Sequence, residues 1–256
     1  MIATTNADSG DMSARIVAGG VADLPLFEGA IEDAGIDARG FAITLAACAE
    51  QRDAACELVN RKYGWRGYGS DHRLNDGVGC TTFGAVVGNE MVGTLSLTVD
   101  SPARLAADST FADLLDEVRG AAGTRLCELT KFAMAEKSMP MHVLASLFHT
   151  IFIFGTGRYD CTDLLIEVNP RHIRFYEAML EFERLGGLRV NRSVGAPSQL
   201  MRLKVADIGR NIQLYAGSKA RSRRSLYPYF LTAAQECLIH ERMADLDRRW
   251  PFTAMA

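Results

Sequence analysis

The sequence lacks several features that would each assign it to a class of protein. None of its six cysteines stands in a Cys-x-x-Cys pair, and their spacings fit neither a zinc site nor a compact disulfide framework. Lys and Arg do not outnumber Asp and Glu, and the net charge of −3 gives no basis for general nucleic-acid binding. The longest apolar run, residues 143–155, is too short to span a membrane. Residues 1–13 are polar and show no signal-peptide pattern. We therefore expect a cytoplasmic protein with no metal, no nucleic-acid partner and no integral membrane segment.

What the chain does have is enough apolar sequence to bury a core. It has 256 residues, of which 48% are hydrophobic and 23% charged, which is ordinary for a globular protein. We predict an N-terminal tail with a short helix over 1–38, a core over 39–206 and a helical C-terminal appendage over 207–256.

Hydrophobic periodicity and turn residues predict the order of elements in that core. The order is strand, helix, hairpin, helix, strand, long helix, strand, helix, strand. The predicted strands are 41–46, 81–87, 91–99, 126–134, 164–168 and 200–205, and the predicted helices are 50–63, 111–119, 140–154 and 170–180. Gly155 and Gly157 are expected to end the long helix. This order predicts an α/β fold with a mixed, mostly antiparallel sheet and helices on both faces.

Three segments in this framework resemble a known family. They are MVGTLSLTVDSP at 91–102, CELTKFAM at 127–134 and VNPRHIRFY at 168–176. In this order they are similar to the core of FeeM-type N-acyl amino acid synthases, within the GCN5-related N-acyltransferase (GNAT) superfamily. The same segments resemble those of the related LuxI-type acyl-homoserine lactone synthases. The resemblance covers residues 41–205.

The resemblance implies a GNAT fold and an acyl transfer reaction. An acyl chain would arrive as a thioester on the phosphopantetheine arm of acyl carrier protein, with no permanently bound cofactor. The arm would enter a gap between strands 126–134 and 164–168, where the amine of an amino acid would attack the thioester carbonyl.

The donor can also be considered from the sequence. Acetyl-CoA-using members of the superfamily carry a glycine loop before the long helix, whose N–H groups hold the CoA diphosphate. Residues 135–141 contain no glycine, and Pro140 lacks an N–H. This favours acyl carrier protein over acyl-CoA, which stays possible as a donor.

Glu128 and Tyr176 are the candidate catalytic residues. Glu128 lies among apolar residues of a strand, where burial would raise its pKa toward the range useful for a general base. The alternative is a structural ion pair with Lys131 or Arg125. By the resemblance, Tyr176 would protonate the departing thiolate, and the alternative is helix packing with Phe175.

Lys131 and the residues after it are candidates for substrate binding. Lys131 could hold the acceptor carboxylate as a point charge, or it could be a solvated surface charge. Residues at odd spacing face opposite sides of a regular strand, so Glu128 and Lys131 could share a site only if a bulge separates them. Phe132, Ala133 and Met134 would contribute through the backbone, where a freed N–H could polarise the thioester carbonyl.

Further candidates lie in loops and on helices. Asn169 is expected to cap a helix that starts at Pro170 and, with Arg66, to contact substrate. Asp71, Arg73 and Asp76 share the loop of Arg66, and a solvated loop is the alternative for each. The apolar residues of the long helix are core residues that could also line an acyl tunnel: Leu144, Leu147, Phe148, Ile151 and Phe152. Arg221, Arg223 and Arg224 could dock the acidic carrier protein, or could be an ordinary basic cluster.

These observations predict an N-acyltransferase that joins a medium or long acyl chain to the α-amine of an amino acid. One alternative is an acyl-homoserine lactone synthase, against which the Lys at position 131 counts because that family has arginine there. A second alternative is a non-catalytic module with the same fold that binds the acyl carrier protein.

Overall fold

The computed structural model describes residues 25–31, 39–75, 77, 79–135, 140–218 and 224–249. In these ranges the chain forms one eight-stranded sheet and six α-helices. The strands are β1 Phe27–Ile31, β2 Arg39–Leu45, β3 Cys80–Val87, β4 Glu90–Val99, β5 Leu126–Met134, β6 Asp163–Val168, β7 Glu183–Asn191 and β8 Ala196–Lys204. The helices are α1 Ala49–Trp65, α2 Asp108–Arg119, α3 Met141–Tyr159, α4 Ile173–Leu180, α5 Val205–Tyr215 and α6 Ala233–Arg249.

The strands lie in the order β1-β2-β3-β4-β5-β6-β8-β7. Every neighbouring pair is antiparallel except β5 and β6, which are parallel and are connected by the long helix α3. A parallel pair needs such a crossover, because a short hairpin can join only antiparallel strands. The predicted mixed, mostly antiparallel sheet is therefore confirmed.

Strands β5 and β6 pair over only part of their length. Their register runs from Leu126↔Asp163 to Leu129↔Ile166, and the rest of β5 pairs with β4 alone. At the point of separation the register between β4 and β5 shifts, and Lys131 has a φ of +56° in the left-handed region. This is a β-bulge, which bends the strand and turns it away from its neighbour. The bulge at Lys131 meets the condition under which Glu128 and Lys131 could share a site.

Alternation along β5 sends its side chains to two different cores. Cys127 and Leu129 join the large cluster under α3, whereas Leu126 joins the smaller cluster beneath α2. Helix α1 covers a third cluster that includes Ala133, beyond the bulge. Helices therefore cover both faces of the sheet. In the described ranges, no helix is long and apolar enough to cross a membrane.

The C-terminal helix α6 packs on the large hydrophobic cluster under α3. Ile239 and Met243 of α6 belong to the large cluster under α3. Buried His149 of α3 accepts a hydrogen bond at Nδ1 from the N–H of Leu231, at 2.9 Å, and its Nε2 lies 2.8 Å from Oε1 of Glu236. A buried N–H must have a partner, so this histidine fixes the chain segment that leads into α6.

Three predictions about the elements are wrong. Strand β1 lies within 1–38, where the sequence predicts a tail and a short helix. Strand β7 is missed because it is an edge strand whose side chains are mostly exposed, so it shows no apolar alternation. Helix α3 does not end at Gly155, which faces the Leu97 side chain in the core, but continues to a left-handed Asp160. The helix predicted to start at Pro140 starts one residue later, at Met141.

Candidate active site

An open cleft of about 1520 Å³ lies where β5 and β6 separate. Glu128 and Ala106 line it on the α2 face of the sheet, and Leu144 and Phe148 line it on the α3 face. The cleft therefore passes through the sheet, because the bulge at Lys131 leaves the end of β5 unpaired with β6. The gap that the sequence predicts between these two strands is present.

Glu128 is a buried carboxylate at the wall of this cleft, with 1% of its surface exposed. Its Oε2 accepts hydrogen bonds from the N–H groups of Ala106, at 2.8 Å, and Ala107, at 3.4 Å, just before α2. Burial raises its pKa to about 8, with the two N–H donors opposing the shift and the charges of Glu167 and Asp108 adding to it. A carboxyl with this pKa is close to the neutral range, where a general base works best.

The structural alternative for Glu128 does not hold among the residues that are described. Neither Lys131 nor Arg125 forms an ion pair with it there. Cys127, its neighbour, faces the α3 cluster on the opposite side of the strand, as alternation predicts.

Tyr176 lines the same cleft from α4. Its ring packs against Phe175 and Phe182, with centroids 5.2 and 5.8 Å away. Burial raises the pKa of its hydroxyl well above the ordinary value, and nearby Tyr63 adds to this while Arg66 opposes it. The hydroxyl therefore keeps its proton at neutral pH and can act as a proton donor. Tyr176 therefore both packs against the neighbouring rings and lines the cleft.

The bulge residues line the cleft as well. Lys131, Phe132, Ala133 and Met134 all contribute to its wall. Burial lowers the pKa of Lys131, because a partly desolvated ammonium is less stable than a hydrated one. The Lys131 ammonium lines the cleft, where a bound anionic group would compensate for the hydration that it has lost.

The helix start after β6 shapes the cleft mouth. Asn169 accepts a hydrogen bond from the N–H of Arg171, at 3.2 Å, with Pro170 at the first position of a 3₁₀ turn, as predicted. The Arg171 guanidinium donates to Tyr68 Oη at 2.6 Å and lies 5.5 Å from the centre of its ring. Burial lowers the pKa of His172, and Arg66 and Arg171 lower it further. The α1–β3 loop and the start of α4 thus meet across the mouth.

Cationic side chains outnumber acidic ones around the cleft. The lining cations are Arg61, Lys62, Arg66, Arg73, Arg104 and Lys131, whereas the lining acids are Asp71, Glu128 and Glu167. Lys62 also donates to the carbonyl of Ala135, which ties α1 to the end of β5. Such an excess of positive charge attracts an anionic substrate.

Not every predicted site residue reaches the cleft. Arg224 is exposed and does not line it, and Arg221, Arg223 and Asp76 lie outside the described residues. Residues that the sequence analysis does not select also line it, among them Tyr63, His72 and Glu167. Glu167 follows the apolar run of β6 and carried a usable signal, because a carboxylate at the end of a buried strand needs an explanation.

A small apolar cavity of about 30 Å³ adjoins the cleft. Leu129 and Phe148 line both spaces. The ring centroids of Phe132 and Phe148 lie 5.7 Å apart. The cavity is closed on its far side by residues after the core, including Tyr227 and Phe230. Ile151 and Phe152 also line it, so part of the predicted apolar sleeve faces open space.

The protein is an N-acyltransferase with a cleft at the point where the parallel strands β5 and β6 separate. It has the acyl-CoA N-acyltransferase (GNAT) fold, as the sequence predicts. The family model for N-acyl amino acid synthase FeeM matches residues 54–204. The chain belongs to the FeeM family.

The chain is also similar to solved structures. The structure of FeeM, an N-acyl amino acid synthase from uncultured soil microbes, is 29% identical and has a TM-score of 0.61, covering 66% of this chain and 93% of FeeM. The acyl-homoserine lactone synthase LasI is 14% identical with a TM-score of 0.48, covering 64% and 90%. An acyl-CoA N-acyltransferase from Pseudomonas aeruginosa is 10% identical with a TM-score of 0.46, covering 64% and 98%. No curated protein matches the chain significantly.

Proposed function

We propose that this N-acyltransferase transfers a medium or long acyl chain from an acyl carrier protein thioester to the α-amine of an amino acid. The observation that carries the proposal is the cleft itself, which joins Glu128, Tyr176 and Lys131 around one space. The membership of the FeeM family supports an amino acid as the acceptor.

The acceptor nitrogen loses two protons in the proposed reaction. Glu128 takes the first from the acceptor ammonium, and the free amine then attacks the thioester carbonyl to give a tetrahedral intermediate with a positively charged nitrogen. As the C–S bond breaks, Tyr176 gives its proton to the leaving thiolate and regains one from that nitrogen. The products are an amide and a free thiol, and Glu128 releases its proton to solvent. Groups of these kinds each contribute about 10²–10⁴-fold to such reactions.

The charge around the cleft supports an anionic donor. The excess of Arg and Lys side chains at the cleft suits the phosphate of a phosphopantetheine arm and the acidic surface of a carrier protein. The absence of glycine from residues 135–141 argues against a CoA diphosphate loop before α3. Carrier-protein docking at Arg221, Arg223 and Arg224 stays a prediction.

The apolar side of the cleft is the proposed seat of the acyl chain. Leu144 and Phe148 line it, and the small cavity beyond Phe148 extends it between the sheet and the C-terminal segment. Burial of each methylene stabilises the bound chain by about 0.8 kcal/mol, so a medium or long chain gains more from this surface than an acetyl group does. On the polar side, Lys131 would bind the acceptor carboxylate.

The proposal is tested by thiol release from acyl carrier proteins loaded with myristoyl or palmitoyl groups. Each is mixed with a panel of amino acids and with S-adenosylmethionine, and products are identified by mass spectrometry. The matching acyl-CoA serves as the comparison donor. An N-acyl amino acid formed faster from the carrier protein supports the proposal. A lactone from S-adenosylmethionine, or carrier binding without turnover, contradicts it.

A further inference from the structure

A second carboxylate, Glu167, lies in the cleft near Glu128. Leu165 of β6 is the register partner of Glu128 on β5, and Glu167 follows two residues later on the same face of the strand. Both carboxylates line the cleft. The two carboxylates are close enough that the charge of Glu167 raises the pKa of Glu128. The reaction described above gives Glu167 no part.

Each of the two carboxylates is held through one oxygen. Oε2 of Glu128 accepts from the N–H groups of Ala106 and Ala107, and Oε1 of Glu167 accepts from Nδ2 of Asn191, at 2.8 Å. Within the described residues, neither carboxylate forms an ion pair. The charge of Glu167 makes ionisation of Glu128 costly. The cost is removed if a cation binds between them.

We propose that Glu167 is a positioning residue that binds the ammonium of the acceptor next to Glu128. The inference rests on the proposed function, and it specifies that the acceptor enters the cleft as an ammonium ion and not as a free amine. Glu167, hydrogen-bonded to Asn191, holds the ammonium, whereas Glu128 takes the proton. The acceptor nitrogen is thereby held at the end of β6 that does not pair with β5, facing the gap through which the thioester enters.

Binding of the ammonium would also prepare the base. In the free enzyme, burial and the charge of Glu167 keep Glu128 protonated near neutral pH. A cation beside Glu128 favours its ionised form, so the acceptor itself would ionise Glu128 before the proton transfer. Asp108, the other acid that acts on Glu128, is paired with Arg104 and Arg119. The titratable and charged groups around Glu128 on its own and neighbouring elements are Cys80, Asp108, Cys127, Lys131 and Glu167.

Steady-state kinetics of Glu167→Gln test the inference, with the acyl carrier protein donor saturating and the amino acid varied. Glutamine keeps the size of the side chain and a partner for Asn191 but removes the charge. We expect the acceptor KM to rise about tenfold to a hundredfold, the loss of one charge-assisted hydrogen bond, with a much smaller change in kcat. The acid limb of the pH profile of kcat/KM should move to lower pH, since that limb reports the free enzyme and Glu128 has lost a neighbouring charge.

Two further variants and one control complete the experiment. Glu167→Asp keeps the charge and should recover part of the acceptor affinity, and Asn191→Ala should raise the acceptor KM by freeing Glu167. These two carry the test if Glu167→Gln does not fold. Glu90→Gln removes a carboxylate from the exposed β3–β4 turn and should behave as the wild type.

The outcomes separate this inference from the proposed function. Turnover by the wild type with an unchanged acceptor KM and an unmoved acid limb in Glu167→Gln overturns the inference alone. A fall in kcat at constant KM and constant pH profile also overturns it, since it would indicate a purely structural role. Absence of turnover by the wild type with every amine overturns the proposed function and the inference with it.

Discussion

Replacing Glu128 by glutamine should change how the stability of the protein depends on pH. The folded protein holds the Glu128 proton up to a pH of about 8, whereas an ordinary glutamate releases it near 4.5. Between these values the unfolded chain has lost the proton and the folded protein has kept it, so stability falls as the pH rises. At 1.36 kcal/mol for each pH unit, the loss from this one group is about 5 kcal/mol in total, and about 4 kcal/mol of it falls between pH 5 and pH 9.

Glutamine does not titrate, so the variant lacks this loss. Chemical denaturation of both proteins across that pH range gives the free energy of unfolding of each. We expect the variant's stability relative to the wild type to increase by about 4 kcal/mol from the acid end to the alkaline end. Glu90→Gln, in the exposed turn, should give a flat difference. A flat difference for Glu128→Gln as well would refute the reasoning, because it would mean that burial does not hold the proton on Glu128.

Three other substitutions test separate parts of the site and the fold. Tyr176→Phe should lower kcat about a hundredfold through loss of the acid for the thiolate without weakening donor binding; an unchanged kcat in a thiol-release assay would exclude that role. Phe152→Ala enlarges the apolar cavity and should shift the preference toward longer acyl donors in competition assays; an unshifted preference would remove the cavity from the acyl site. His149→Leu leaves the buried N–H of Leu231 without its acceptor and should cost about 2–3 kcal/mol of unfolding free energy; a loss below about 0.5 kcal/mol would contradict a structural role.

The central elements of the fold follow from local patterns. Strand β5 is predicted at its observed bounds, residues 126–134. The bulge is not predicted by the sequence alone, which indicates only that Glu128 and Lys131 need one in order to share a site. Asn169 and Pro170 predict the start of a helix from capping preferences alone.

The edges of the sheet could not be predicted in the same way. Strands β1 and β7 are set by pairing with β2 and β8, and edge strands with little burial leave little periodic signal. Gly155 gives a wrong prediction of the helix end for a different reason. The helix needs a small residue there to approach Leu97, and this packing outweighs the intrinsic cost of glycine in a helix.

The site was predictable where residues share a strand and not where distant segments meet. Glu128, Lys131 and Tyr176 are found from motifs, but their common cleft depends on how far β5 and β6 separate. The sequence marks Glu167 as a carboxylate at the end of a buried strand, but its place near Glu128 is known only from the register of β5 with β6 and from its hydrogen bond to Asn191. Both depend on how the strands pair, which cannot be read from the amino-acid composition.

The most direct test of the account is the rate of thiol release by the wild type and by Glu128→Gln, with loaded acyl carrier protein and acceptor amino acid both saturating. We predict that the wild type forms one N-acyl amino acid and that the variant forms the same product about 10²–10⁴-fold more slowly, the usual contribution of a general base. Equal rates in the two proteins would contradict the assignment of Glu128 as the group that takes the proton from the acceptor.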